Sequence, residues 1–390
     1  MKLMLQPGEG PTSIIKAINN AKTSIEIMIF RFDRSEIERA LANAVKRGVF
    51  VHALVAHSNH AGEDGLRNLE MRLLAAGVNV ARTSSDLVRY HGKMMIVDRR
   101  ELYVLAFNLT YLDIERSRSF GVATTNPKLV HEAVRLFEAD AKRLVYEPAQ
   151  PCLVVSPANA RKQLSAFIKG ARKELLIYDP TVSDPVMIRL LEERAMAGVE
   201  VKIIGRLARR RDVLPSRKLH RLRLHARAIV RDHCDAFIGS QSLREIELDG
   251  RREVGIIFRD RRIVHRLVET FREDWEVAGK AQEQKKKNEA AAAERVAKKV
   301  AKAVVKELPP ATPVLEAAME EIAHIPIDLS AAEVEETVKD AVKEAVKEAL
   351  TEVVQDVVEG AGESGPAPSE GGLRRRGHPR MQTEALTPVQ

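Results

Sequence analysis

Ile25 to Phe30 is a short apolar run bounded by polar residues, which predicts a buried strand. Residues 34–47 then place Ile37, Leu41 and Val45 on one face, the spacing of an amphipathic helix. Gly48 ends that helix as its C′ residue, and Val49 to Val55 read as the next strand. The same order returns later. Ala21-Lys22-Thr23-Ser24-Ile25-Glu26-Ile27 is answered by Ala171-Arg172-Lys173-Glu174-Leu175-Leu176-Ile177, and Gly48 by Gly198, both at an offset of 150 in the numbering. Residues 127–145 and 260–278 are predicted helices that close each unit. Alternating helices and strands in two copies predict an α/β layered fold with mostly parallel or mixed sheets.

After the second copy the pattern changes. Residues 281–308 are rich in Ala, Lys and Glu, and Pro309, Pro310 and Pro313 interrupt them. Over 331–358, Val334, Val338, Val342, Val346 and Leu350 recur at every fourth position beside Ala341, Ala345 and Ala349, which predicts an amphipathic helix. From 359 onward Gly, Pro, Ser and the run Arg374-Arg375-Arg376 predict disorder.

Charge divides along the same line. The net charge is +8, but residues 281–390 hold 15 basic and 20 acidic side chains, so residues 1–280 hold 48 and 35 and carry +13. The basic body prefers anionic partners: phosphodiesters, an anionic membrane surface or nucleic acid. Aromatic residues make up only 4%, which argues against a stacking platform for bases. Cys152 and Cys234 offer no disulfide framework or metal-ligand spacing, fit a reducing compartment, and are read as buried structural residues. The first residues show no apolar signal core, and no apolar run approaches the roughly 18 residues that span a bilayer. The expectation is a soluble, cytoplasmic protein that can touch a membrane peripherally.

Two short motifs carry the chemistry. His91-Gly92-Lys93 is followed by Asp98, and His225-Ala226-Arg227 by Asp232, so each reads His-x-(basic)-x4-Asp. Their offset in the numbering is 134 instead of 150, so the second copy is shorter between its landmarks. In extended chain His91 and Lys93 share a face, as do His225 and Arg227. Asp98 and Asp232 fall at strand ends, where a carboxylate orients a neighbour or ends the strand. Asn108 and Ser242 each stand at the tenth position after the aspartate, and Gly239-Ser240 precedes the second. Two histidines and two cations meeting at one site suit phosphodiester transfer. His52, His57 and His60 lack counterparts and are read as non-catalytic, and Asp179 as a strand-end turn residue. The basic stretch Arg206 to Arg223, with Arg209, Arg210, Arg211, Arg217, Lys218 and Arg221, is either a solvated loop or a collector of anionic substrate.

These residues resemble the phospholipase D superfamily, whose signature is H-x-K-x4-D followed by x6-G-S-x-N, usually twice. The likeness covers roughly residues 10–278. It implies two α/β/α units, 1–150 and 151–280, packed with the site at their interface; the composition beyond them adds a helical extension over 281–358 and a disordered tail over 359–390. The likeness implies His91 as the nucleophile that forms a phosphohistidine and His225 as the general acid/base. Lys93 and Arg227 hold the phosphate charge, Asn108, Ser240 and Ser242 donate to its oxygens, Asp98 and Asp232 complete the motifs, and Glu253 supports them. No metal or cofactor is required. The chain departs from the pattern at Arg227, where lysine is usual, at Leu105-Ala106-Phe107-Asn108, which lacks Gly-Ser, at Ser242 for asparagine, and at Ser119, the counterpart of Glu253.

Three functions compete at this stage. One is a phospholipase D-like enzyme on phospholipids, either a hydrolase or a phosphatidyltransferase such as a cardiolipin synthase. The second is a nuclease-type phosphodiesterase. The third is a degenerate phosphate-binding scaffold whose helical tail recruits a protein partner.

Overall fold

The computed structural model describes residues 1–57, 63–208, 213–307 and 344–345. Met1–Lys285 is one compact unit and Lys286–Gln390 another. In chain order the described elements are β1 (Lys2–Gln6), α1 (Thr12–Asn20), β2 (Ser24–Ile29), α2 (Ser35–Lys46), β3 (Phe50–Val55), α3 (Glu63–Ala75), β4 (Asn79–Arg82), β5 (Arg89–Tyr90), β6 (Met94–Val97), β7 (Glu101–Leu105), α4 (Tyr111–Glu115), β8 (Ser117–Thr124) and α5 (Pro127–Lys142). They continue with β9 (Leu153–Ser156), α6 (Ala160–Lys169), β10 (Glu174–Val182), α7 (Pro185–Met196), β11 (Glu200–Leu207), β12 (Ser216–Arg217), β13 (Arg223–Leu224), β14 (Ala228–Arg231), β15 (Asp235–Gly239), α8 (Glu245–Asp249), β16 (Arg251–Phe258) and α9 (Arg261–Glu307).

The duplication is complete at the level of topology. One mixed sheet runs β1-β8-β7-β6-β2-β3-β4 and the other β9-β16-β15-β14-β10-β11-β12, the same order twice. The shortening of the second copy is explained by α3, which lies between β3 and β4, whereas β11 and β12 are joined by residues 208–215 alone. Each lobe has its own outer core: Ile18, Ile25, Leu41 and Leu73 in the first, Leu164, Leu175, Leu191 and Ile203 in the second. A third core is common to both and draws Phe120 and Val122 of β8, Ile238 and Val254 of β15 and β16, Phe137 of α5 and Phe271 of α9. Burial of apolar surface, at about 25 cal/mol per Å², therefore holds the lobes to each other as well as building each of them.

The lobes also exchange short strands. β5 belongs to the first lobe in sequence but pairs in parallel with β16, and β13 pairs likewise with β8 of the first lobe. The same crossing is made by charge: Arg118 of β8 binds Asp274 of α9 at 2.7 Å, and Arg252 of β16 binds Asp140 of α5 at 3.1 Å. Both ion pairs obey the offset of the two motifs, Arg118 answering to Arg252 and Asp140 to Asp274.

Most predicted elements are present, with two corrections. The second closing helix does not stop near 278 but continues to Glu307, because the Ala/Lys/Glu-rich sequence is composed of strong helix formers. Cys152 and Cys234 are exposed rather than buried, Cys234 because it lies in the hairpin turn between β14 and β15. The predicted stripe over 331–358, the prolines at 309, 310 and 313 and the tail from 359 lie outside the described residues, apart from helical Glu344 and Ala345.

Candidate active site

The exchanged strands decide where the histidines sit. β5 ends at Tyr90, and the next amide, His91 N–H, donates to the Arg252 carbonyl of the other lobe at 2.7 Å. β13 ends at Leu224, and His225 N–H donates to the Arg118 carbonyl at 3.1 Å. Each histidine is thus held by the backbone of the opposite lobe before its own strand, β6 or β14, begins. Close approach here requires a small residue: a Cβ on Gly92 would come within 2.8 Å of Val254 Cγ2. Its counterpart Ala226 is wholly buried. Both cations fold back on their own histidine, Lys93 Nζ donating to the His91 carbonyl at 2.5 Å and Arg227 Nη1 to the His225 carbonyl at 3.3 Å.

The imidazoles themselves are in different surroundings. His91 Nδ1 contacts both carboxylate oxygens of Glu253, at 2.9 and 2.8 Å, and its ring meets Phe30 edge-on at 4.5 Å. With Nδ1 donating to a carboxylate, Nε2 carries the free lone pair. His225 Nδ1 is buried with no hydrogen-bond partner, as is the hydroxyl of Ser119, the residue that stands where Glu253 stands in the other lobe. On its other side His225 Nε2 lies 3.6 Å from Asp113 Oδ2.

Burial and like charge set the protonation states. Burial, followed by the charges of Lys93 and Arg227, pushes His91 well below an ordinary imidazole, and burial with Arg227 does the same to His225. Burial lowers Lys93 to about 7, against the partial support of Glu253 and with a further push from Arg227. Burial raises Glu253, and Lys93 and Arg227 oppose that rise. Asp113 is also desolvated, but His225, the Asn108 amide and Arg223 outweigh burial and hold its carboxyl below the usual range. Burial and two cations thus push both imidazoles towards the neutral form, and Asp113 opposes that push on His225.

Asp113 and Glu247 are the site residues that sequence reasoning missed. Asp113 Oδ2 accepts from the Asn108 amide and side chain at 2.8 and 2.7 Å, and Oδ1 accepts from Arg223 at 2.6 Å. Glu247 accepts from the Ser242 amide at 2.8 Å and lies 3.5 Å from Arg227 Nε. They too are separated by the offset of the two motifs, so comparing the copies position by position was the signal that could have found them. Asp179 is no simple turn residue. It is fully buried in β10, accepts from the Leu243 and Thr181 amides at 2.7 and 2.9 Å, and is raised by burial to about 7.

Known proteins resemble this chain in sequence and in fold. A family model described as "Cardiolipin synthase, PLD-like domain" matches residues 14–141 and 164–275, more than half of the chain and one match per lobe. The chain belongs to the phospholipase D superfamily. A curated relative, the mitochondrial cardiolipin hydrolase of Danio rerio, is 30% identical over 130 residues, 32% of this chain and 56% of the relative. The polyphosphate kinase of Vibrio vulnificus (strain YJ016) is 24% identical over 281 residues, 63% of this chain and 39% of that protein. The chain therefore spans little more than half of the first of these relatives and less of the second. The crystal structure of polyphosphate kinase from Porphyromonas gingivalis has a TM-score of 0.57 at 20% identity, over 70% of this chain and 49% of that one, a likeness of fold. Superfamily members are phosphodiesterases and phosphotransferases.

The remaining residues expected in this phospholipase D-like site divide into two groups. His91, Lys93, His225, Arg227, Asn108, Ser242 and Glu253 are buried around it, and Arg227 Nε donates to the Ser242 hydroxyl at 3.1 Å. The Ser240 hydroxyl instead donates to the Val254 carbonyl at 3.3 Å and accepts from the Val254 amide at 3.1 Å, which ties it to β16. Asp98 and Asp232 are a correction. Their carboxylates accept from the amides of Lys22, Thr23 and Ser24 and of Arg172, Lys173 and Glu174, at the starts of β2 and β10. Each stands at the fifth position past its cation on an extended strand, about 16 Å away at roughly 3.3 Å per residue. Arg217 is also structural, stacked on Trp275 at 4.2 Å and donating to its carbonyl, while Arg209, Arg210, Arg211 and His60 lie outside the described residues. His52 packs between Phe50 and Phe137.

Proposed function

We propose that the chain is a phospholipase D-type phosphodiesterase or phosphatidyltransferase that acts on phospholipids through a phosphohistidine, with no metal. The observation that carries this reading is the unlike pair of imidazoles: His91 has its Nδ1 on Glu253 and its Nε2 free, while His225 has Nε2 beside Asp113. In this reading His91 Nε2 attacks phosphorus and the P–O bond to the leaving alcohol breaks. The departing oxygen takes a proton from the imidazolium form of His225, which the Asp113 carboxylate beside Nε2 favours, and His225 is left neutral. Water or an acceptor alcohol then gives its proton back to His225 and attacks the phosphohistidine, which frees His91. Lys93 and Arg227 stabilise the charge that grows on the non-bridging oxygens, with Asn108 and Ser242 beside them. Asp98 and Asp232 serve the fold.

Two features favour a lipid. The similar proteins include a cardiolipin hydrolase, and Tyr111, Leu112 and Val88, close in sequence to Asp113 or Arg89, leave about half or more of their surface exposed. No helix among the described residues is long and apolar enough to cross a membrane, so contact with lipid would be peripheral. The second reading, a nuclease, is favoured by the +13 body. Release of headgroup from anionic vesicles and nicking of plasmid DNA, both in EDTA, separate the two. Headgroup release without nicking is the expected result; nicking alone assigns the nuclease, and loss of both with retained phosphate binding leaves a scaffold.

The pH dependence follows from Lys93 and His225. The Lys93 ammonium must be protonated to hold phosphate, and burial lowers it to about 7. The acid His225 must also be protonated, and burial lowers it well below 6.5, so kcat/KM for a soluble diester should begin to fall at that lower pH and fall more steeply above about 7, where Lys93 loses its proton too. The His91 limb lies well below pH 6.5, because that imidazole must be neutral to attack and burial already keeps it so. Lys93→Arg should remove the added steepness above about 7 and leave the His225 limb in place, since guanidinium stays charged. An unchanged profile in that variant assigns the added steepness to another group.

A further inference from the structure

The two lobes are pseudo-symmetric, but their charge balance is not. In the second lobe Arg223, the counterpart of Arg89, is neutralised: it donates to Asp113 at 2.6 Å and to Ser117 Oγ at 3.1 Å. The matching partner for Arg89 would be Glu247. That carboxylate is already held by Arg251, which replaces Ser117, at 3.2 Å, and lies near Arg244 and Arg227 at 3.6 and 3.5 Å. Arg89 consequently has no carboxylate in ion-pair contact among the described residues; it is half-buried, burial and Arg251 lower its pKa, and Glu253 and Glu247 oppose this only from beyond contact. Arg89 instead points at Phe30, its Cζ 5.5 Å from the ring centroid. Arg31 Cζ lies 5.9 Å and Lys93 Nζ 5.4 Å from the same centroid, so three cations converge on one ring. Arg31 also lacks a carboxylate partner among the described residues.

A cation that is partly desolvated and unpaired costs free energy unless a ligand supplies the counter-charge. Lys93 has the scissile phosphate to serve; half-buried Arg89 has none assigned, and exposed Arg31 adds a further charge at the same ring without that cost. We infer that the side of the site walled by Phe30 seats a second phosphate group of the substrate, bound by Arg89 and Arg31. The inference rests on the proposed reading that the first phosphate lies between His91 and His225. It narrows the substrate class from any phosphodiester to molecules with two phosphates within one short span, such as a diphosphatidyl lipid. The next phosphodiester of a nucleic-acid strand has the same chemistry.

The test is equilibrium binding to the full chain in EDTA, using two matched pairs. One pair is short-chain diphosphatidylglycerol against short-chain phosphatidylglycerol, both dispersed as monomers. The other is a dinucleotide with a 5′-phosphate against the same dinucleotide without it. A charge-assisted contact to the extra phosphate should tighten the two-phosphate member by about tenfold or more. The lipid pair is expected to show this; an advantage confined to the nucleotide pair keeps the second seat and makes its source a nucleic-acid strand. In Arg31→Ala/Arg89→Ala the two members of the responding pair should come within about threefold of each other. Arg89→Lys should restore part of the difference, and Arg31→Ala alone, at an exposed side chain, gives a reading should the double variant melt early. Equal affinity within both pairs, or an advantage that survives the double variant, overturns the second seat while leaving the His91–His225 site intact. Failure of every ligand to bind overturns both.

Discussion

His91→Ala should lower turnover by about 10⁴-fold or more, with the folded state retained. The magnitude follows from the role: without an Nε2 to form the bond to phosphorus, the reaction loses its two-step path and reverts to direct attack by water. The structural penalty is smaller. The ring is buried on the edge of Phe30 and its Nδ1 on Glu253, so its removal leaves a cavity and an unpaired carboxylate, an effect of roughly 2–3 kcal/mol. A melt shows whether the protein has survived that. Mass spectrometry of enzyme quenched during turnover gives the direct measurement. Wild-type enzyme should carry phosphorus on the peptide containing His91. With an aryl diester, whose leaving group needs no proton in the first step, His225→Ala should carry more, because the second step still needs His225 to deprotonate water. An adduct on the His225 peptide would reverse the two roles, and wild-type rates in His91→Ala would remove the histidine from the chemistry altogether.

The asymmetry behind that prediction was only partly legible in the sequence. The duplicated His-x-(basic) pairs were readable because apolar periodicity fixes the strands and the constant offset between the motifs fixes their equivalence. The sheet order that brings them together was not, since β5 and β13 are very short and join the opposite lobe by backbone hydrogen bonds that leave no side-chain pattern. Glu253 was legible as an acid missing its twin at Ser119. Asp113 and Glu247 carried the same positional signal, yet they act through amide, guanidinium and imidazole contacts at short range, which spacing alone does not display. Phe30 looked like the last residue of a buried strand; only the structure shows His91, Arg31, Arg89 and Lys93 gathered on its ring. The cysteines were misjudged for a simpler reason. Average burial of a residue type yields to position, and both positions are outside regular strands.

Asp98→Ala and Asp232→Ala should each destabilise the fold by about 2–4 kcal/mol while leaving the rate per folded molecule within about threefold of wild type. The aspartates are as regular a part of the motif as the histidines, so equal loss of activity by a chemical route is the competing expectation. Geometry opposes it. Asp98 accepts three backbone amides and the Thr23 hydroxyl, and Asp232 three backbone amides. Each thus fastens the start of an inner strand of its lobe, β2 or β10, to the hairpin that follows β6 or β14. Both residues also occupy left-handed backbone, with φ of 53° and 51°. Aspartate tolerates that region, whereas alanine is disfavoured there by roughly 1 kcal/mol. A series at one position separates the two contributions. Asp98→Gly removes the carboxylate without the backbone strain, and Asp98→Asn keeps one acceptor oxygen and the tolerance for positive φ. The melting temperature should therefore fall in the order wild type, Asn, Gly, Ala. Both lobes should respond alike, because Asp232 makes the same clamp. If Asp98→Asn melts with wild type yet loses more than about a hundredfold in kcat, the carboxylate acts on the chemistry after all, and the distance along β6 has been bridged by something other than the strand.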